Sequence, residues 1–148
     1  MTLAEVSKDT RWADLIAHAA DGRIKLAWTH HLLALRNRHP GVFESGSYLP
    51  LNVTGPHSDH VIAFARVHRK NAVVVAAMRW FAPFTDGGRT WLNGMIEGAV
   101  TIDGLHLDDG SRIELPLSEL FADLPVAARE ATVKRAHKKA ARGLGRAA

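Results

Sequence analysis

The spacing of apolar residues changes near residue 46, from a helical period before it to an alternating period after it. A short helix is predicted from Asp9 or Thr10 to about Ala20, and Asp21-Gly22 ends it. A longer helix is predicted over residues 23–38, before the break at His39-Pro40-Gly41. From 24 to 35 its apolar side chains surround most of the circumference. A helix of this kind normally packs between two partners, so this one should need more cover than a small sheet provides.

The second half of the sequence predicts an antiparallel all-β unit. Tyr48–Val53 is a strand candidate placed at an edge by Pro50. Residues 60–67 and 71–78 are predicted to be two strands that form a hairpin around His68-Arg69-Lys70. Shorter strands are predicted at 90–92, 99–102 and 112–115, between Gly-rich turns. A short turn or helix is predicted at 116–121, followed by an edge strand at 124–126. Strands at this spacing are typical of a small sandwich or barrel.

Composition and charge remove several functional classes. The 148 residues fit one ordinary domain, and the absence of cysteine excludes disulfides and thiolate chemistry. Neither a membrane-spanning apolar run nor a signal peptide is recognisable, so a cytoplasmic protein is expected. Residues 129–148 carry seven Lys/Arg and one acid, a net charge of +6, while residues 1–128 carry twelve against fourteen, a net charge of −2. Nucleic-acid binding is therefore expected only through a basic tail.

Candidate chemistry is sparse along the chain. The acids of the β region lie mostly in Gly-rich turns, and no pair stands out as a glycosidic acid/base couple. His57-Ser58-Asp59-His60 lacks the third ligand of a metal site, so no metal and no cofactor is expected. The aromatic residues Trp80, Phe81, Phe84 and Trp91 flank a Gly-rich turn. They are interpreted mainly as core, although exposed rings there could stack on sugars, which makes Trp80 and Trp91 the candidate substrate-binding residues.

Four segments resemble a known enzyme family. They are Gly22 to Pro40 (GRIKLAWTHHLLALRNRHP), Ser47 to Leu51 (SYLPL), His60 to Arg66 (HVIAFAR) and Leu117 to Val126 (LSELFADLPV). The combination of the first three resembles the C-terminal part of maltooligosyl trehalose synthase, of the α-amylase superfamily, and the fourth resembles the terminal motif of that enzyme. The resemblance implies the last helix of a catalytic barrel followed by an amylase-type C-terminal β domain. It also implies a role in converting a reducing-end α-1,4 linkage into an α,α-1,1 linkage, without a cofactor, on barrel carboxylates that this chain does not contain.

Together these points predict an α+β fold: N-terminal helices, a small antiparallel β-sandwich, and a basic helical or disordered tail. The predicted division is 1–45 (helical, resembling the end of a barrel), 46–128 (β domain) and 129–148 (tail). The leading hypothesis is a C-terminal fragment or subunit of a synthase-like enzyme, with no catalytic residue of its own. The alternatives are a free-standing α-glucan-binding module and a binder of anionic surfaces through the tail. Expected partners are a separate catalytic barrel chain and α-glucans, with self-association through the apolar helix and no membrane.

Overall fold

The computed structural model describes residues 12–86, 96–106 and 112–135, with the backbone alone for 103–106 and Arg135. It is an α+β structure in which a helical layer covers part of one face of an antiparallel sandwich. The helices are α1 (Trp12–Ala17), α2 (Arg23–Arg38), α3 (Pro40–Ser45) and α4 (Leu117–Leu120). The strands are β1 (Ser47–Pro50), β2 (Asn52–Thr54), β3 (Val61–His68), β4 (Asn71–Met78), β5 (Ala99–His106), β6 (Arg112–Pro116), β7 (Val126–Thr132) and β8 (Lys134–Arg135).

The helical segment follows the sequence pattern closely. Helix α2 has the predicted bounds, and Gly22 precedes it in the left-handed region at φ +79°, a conformation that glycine adopts without steric cost. The first predicted helix is divided into α1 and a 3₁₀ turn at Ala19–Asp21, and its predicted cap residues lie outside the described residues. After the predicted break at His39-Pro40-Gly41 the chain enters a new helix, α3, because proline is well suited to the first turn of a helix.

Two sheets form the sandwich. The first has the order β1-β3-β4-β7, and the second has the order β2-β5-β6, with β8 also paired to β5; the paired strands are antiparallel. The β3–β4 hairpin pairs His68 with Asn71, and Arg69 takes the positive φ of 56° that its two-residue turn requires. The prediction of a single strand over Tyr48–Val53 is wrong, because the segment forms two strands, β1 and β2, that belong to different sheets. At Leu51 the chain crosses between the sheets, and the Leu51 side chain packs against apolar clusters at both ends of the sandwich.

The core lies between the sheets and is closed at one end by α4. Val61, Ala76 and Val100 from the strands pack with Leu117 and Phe121, which are 0% and 1% exposed. At the start of β5, Gly98 has φ +133°, and a Cβ there would collide with the Thr54 carbonyl oxygen. This close backbone approach explains one of the predicted turn glycines.

The helical layer covers part of the opposite face of the first sheet. Leu35 and Val42 pack on Val73 and Ala128. Arg66 of β3 donates hydrogen bonds to the carbonyl oxygens of Val42 and Phe43 near the C-terminus of α3, at 3.2 and 3.0 Å. This guanidinium therefore satisfies carbonyl groups that a short helix leaves unpaired.

The cover over α2 is incomplete within the described part of the chain. Leu26 and Leu33 remain 40% and 55% exposed. The sequence indicated that this helix needs a second partner, and the exposed leucines agree with that reading.

The expected start of a helical or disordered tail at residue 129 is wrong for residues 129–135. Strand β7 continues to Thr132 as the edge of the first sheet, and β8 follows at Lys134–Arg135. Long-range pairing with β4 aligns Glu130 with Val73 and Thr132 with Asn71, which overrides the local helix propensity of this Ala-rich segment. Residues 136–148 lie outside the described residues, so the anion-binding role of the tail stays a prediction.

Candidate functional site

The two predicted ligand-binding tryptophans have different outcomes. Trp80 lies after β4 with a positive φ of 51°, and it is 69% exposed. The Arg79 guanidinium lies 4.3 Å from the centre of its ring, in a cation–π contact, and also donates to the Asp59 carbonyl oxygen. Trp91 lies outside the described residues. The interpretation of the neighbouring rings as core holds for Phe81 and Phe84, which pack against the core cluster, and fails for Trp80.

The histidines at 57 and 60 contribute to packing. Both rings lie edge-on to Phe84, with centroids 5.1 and 4.8 Å away, and His57 Nδ1 accepts a hydrogen bond from the Glu97 N–H. Across residues 12–86, 96–106 and 112–135, no group of three His, Cys, Asp or Glu side chains could hold a metal ion.

A cleft that the sequence did not predict lies between the helical layer and the start of β7. Its helical side consists of Trp12, Trp28 and His31, and its other side includes Asp123, Val126 and Arg129. We call it the aromatic cleft. Its volume is about 50 Å³, enough for part of a small ligand such as the edge of one sugar ring. The remaining lining residues are Leu120, Leu124, Ala127 and Ala128.

The three rings of the aromatic cleft are fixed against one another. Trp28 and His31 stack at 5.3 Å with an interplanar angle of 21°, because positions three apart share one face of a helix. Trp12 from α1 meets Trp28 edge-on at 5.9 Å and His31 at 6.3 Å. All three side chains are only partly buried. The helical spacing in the sequence indicates the Trp28–His31 pair, but the approach of Trp12 and of β7 depends on tertiary packing.

The aromatic cleft is lined by one acidic side chain (Asp123), one basic side chain (Arg129) and the neutral imidazole of His31. Partial burial lowers the pKa of His31, and the positive charges of Arg38 and Arg129 lower it further. His31 is therefore uncharged at neutral pH. Arg129 donates a long hydrogen bond to the Glu119 carbonyl oxygen at 3.4 Å, and both Arg129 and Asp123 are exposed.

The fold defines an α+β protein with a helical layer on an antiparallel sandwich, and it has an exposed tryptophan and an aromatic cleft at its surface. Comparison with known proteins then relates the chain to one group of enzymes. Proteins named "Putative maltooligosyl trehalose synthase" from two strains of Mycobacterium tuberculosis are 36% identical to it over 104 residues. The match covers 64% of this chain and 12% of each relative. The chain is thus similar to a partial, C-terminal region of these proteins, and the resemblance seen in the sequence is confirmed.

Two solved structures also align with the chain. The solved structure of maltooligosyltrehalose synthase from Arthrobacter ramosus aligns with 85% of this chain and 17% of its own, at 22% identity and a TM-score of 0.46. A point mutant of that enzyme aligns with 84% of this chain and 17% of its own, at 21% identity and a TM-score of 0.47. No protein-family model matches the chain.

None of the helices in the described part of the chain has the length and apolar character needed to cross a membrane.

Proposed function

We propose that this chain supplies the C-terminal part of a maltooligosyl trehalose synthase-like enzyme and is not catalytic alone. The main observation that supports the proposal is the 36% identity to the Mycobacterium tuberculosis proteins. Because the match covers 12% of those relatives, a catalytic barrel with its carboxylates would come from sequence beyond the matched region. That barrel would carry out the intramolecular transglucosylation that converts maltooligosaccharides into maltooligosyl trehalose, in the cytoplasm.

The proposed roles of the segments follow the predicted domain limits, with the end of the β domain moved from residue 128 to the end of β8. Residues 1–45 would complete the surface of the barrel, residues 46–135 would form the supporting β domain, and residues 136–148 would add a basic extension. The exposed leucines Leu26 and Leu33 on α2 support this arrangement, since they lie one heptad apart on a face left open by the rest of the described chain. A barrel wall packed on that face would remove both side chains from water.

Complementation tests the proposal. The isolated chain should leave the reducing ends of maltopentaose unchanged. Co-expression with a synthase lacking its own corresponding C-terminal region should restore their loss, and the two chains should co-purify. Activity of the isolated chain would overturn the proposal, and so would the absence of both restoration and co-purification.

A pair of variants locates the contact with the barrel chain. The double variant Leu26→Arg/Leu33→Arg should abolish co-purification, because it puts two charges on the proposed apolar interface. Ile62→Arg is the matched control: Ile62 is 53% exposed but lies on β3 rather than on α2. If the control disrupts the complex and the double variant does not, the interface lies elsewhere.

A free-standing α-glucan-binding module is the second candidate, favoured by the exposure of Trp80. Arg79 covers one face of its indole, so the other face would be available for a pyranose ring. Titration with maltoheptaose should then shift tryptophan fluorescence and release heat, and Trp80→Ala should reduce both effects. No fluorescence change and no heat at millimolar maltoheptaose would exclude this candidate.

A further inference from the structure

We propose that the aromatic cleft binds one neutral sugar ring of an α-glucan, at a site distinct from Trp80. The α-glucan class rests on the proposed function, whereas the location and the neutral character of the ligand come from the cleft itself. Trp12, Trp28 and His31 supply an aromatic wall, in which the Trp12 ring is inclined at 66° and 86° to the roughly parallel rings of Trp28 and His31. The opposite wall carries Asp123, just before β7, and Arg129, within β7.

The aromatic wall suits the apolar side of a pyranose. Each of its rings contacts the other two, so little side-chain freedom remains to be lost when a ligand binds. Partly exposed tryptophans offer a large rigid contact surface together with an indole N–H donor. A sugar has a matching division, with C–H groups on its faces and hydroxyl groups around its rim.

The polar wall suits hydroxyl groups. The Asp123 carboxylate can accept hydrogen bonds and the Arg129 guanidinium can donate them, so the wall serves both functions of a hydroxyl. Val126, Ala127 and Ala128 also line the cleft, and they belong to the edge strand of the first sheet. An edge strand presents alternate backbone N–H and C=O groups on its outer side, which adds further partners for a polyol.

The balance of charge favours a neutral ligand. The negative charge of Asp123 would repel a phosphate group, and the positive charge of Arg129 would repel an ammonium group. The neutral imidazole of His31 adds no charge. The small volume limits the contact to part of one ring. We therefore expect a dissociation constant on the order of millimolar for a short glucan, because a shallow site buries little of the ligand.

The test is an NMR titration of the ¹⁵N-labelled full chain with maltotriose. The indole N–H resonances of Trp12, Trp28 and Trp80 are assigned from single Trp→Phe variants. Saturable shifts at Trp12 and Trp28 with Trp80 unchanged are the expected result. Shifts confined to Trp80, or none up to the solubility of maltotriose, would overturn the proposal. A stronger response to glucose 1-phosphate than to maltotriose would overturn the neutral character of the site.

Charge-neutralising variants sharpen the test. Asp123→Asn and Arg129→Gln should each weaken maltotriose binding about fivefold, the loss expected when one hydrogen bond is impaired. Arg79→Gln is the matched control, since Arg79 contacts Trp80 instead. Equal affinity in all three variants would contradict the assigned polar wall. The titration needs no catalytic barrel, and complementation does not depend on the cleft, so failure of either proposal can be recognised separately.

Discussion

The interior of the sandwich and the helical layer over it contain similar apolar residues, but these residues are shielded from solvent to different degrees. Between the sheets, Val100 and Phe121 are 0% and 1% exposed, and residues from both sheets and α4 surround them. Under the helices, Leu35 is equally buried, yet Leu33 two positions earlier is 55% exposed. Two facing sheets cover each other, whereas a helix pair on a sheet leaves its outer surface open. The exposed leucines of α2 and the aromatic cleft therefore lie on or beside the helical layer, whereas Trp80 lies just after β4.

The largest expected effect comes from opening the closed interior. Phe121→Ala should lower the free energy of unfolding by about 3–5 kcal/mol, because it removes a fully buried ring and leaves a cavity. Urea denaturation measures the loss. Ile62→Ala, at a side chain 53% exposed, is the control and should cost less than about 1 kcal/mol. Similar losses for both variants would contradict a closed interior.

A smaller and more local effect is expected in the helical layer. Leu35→Ala should cost about 2–4 kcal/mol by removing the side chain that joins α2 to Val73 and Ala128. Amide hydrogen exchange should speed up in α2 and α3 while β5 keeps its protection, since the interior of the sandwich is untouched. Leu33→Ala on the open face should leave exchange unchanged. Equal loss of protection in β5 would mean that the two layers unfold as one unit.

The loss of stability caused by replacing a glycine with alanine should differ between Gly22 in the helical segment and Gly98 in the sandwich. Gly22 and Gly98 both have positive φ, but a Cβ at Gly22 would have no atom within 4 Å, whereas at Gly98 it would meet the Thr54 backbone. Gly98→Ala should therefore destabilise the protein by about 1–3 kcal/mol more than Gly22→Ala, measured by urea denaturation. Equal losses would indicate that the strand approach at Gly98 relaxes without cost.

The smallest effect concerns the ion pair between the helical layer and β7. The hydrogen bond from Arg38 holds the pKa of Glu130 below its ordinary value of 4.5. The stabilisation is therefore present above that value and is lost as the pH falls through the lowered pKa. Glu130→Gln should cost a few tenths of a kcal/mol, because both side chains are about half exposed. It should also flatten the acid dependence of stability, followed by urea denaturation between about pH 5 and pH 3.

The sequence correctly predicted the helices and strands that are determined by neighbouring residues in the chain. The apolar period, Gly22 and His39-Pro40 define α2, and alternation with a short polar turn defines the β3–β4 hairpin. The predictions were wrong where distant pairing decides the structure. Strand β7 extends through an Ala-rich segment with helix propensity because β4 offers it a full ladder of backbone partners.

The sequence by itself determined the α+β class, the position of α2 and the hairpin, and the resemblance to maltooligosyl trehalose synthase. These depend on residue order and spacing, which a chain carries before it folds. Only the tertiary structure decided that Leu51 crosses between sheets, that Trp80 is exposed while Phe81 is half-buried, and that Trp12 meets Trp28 and His31 opposite β7. Such features depend on which distant surfaces pack together, and no local pattern records that choice.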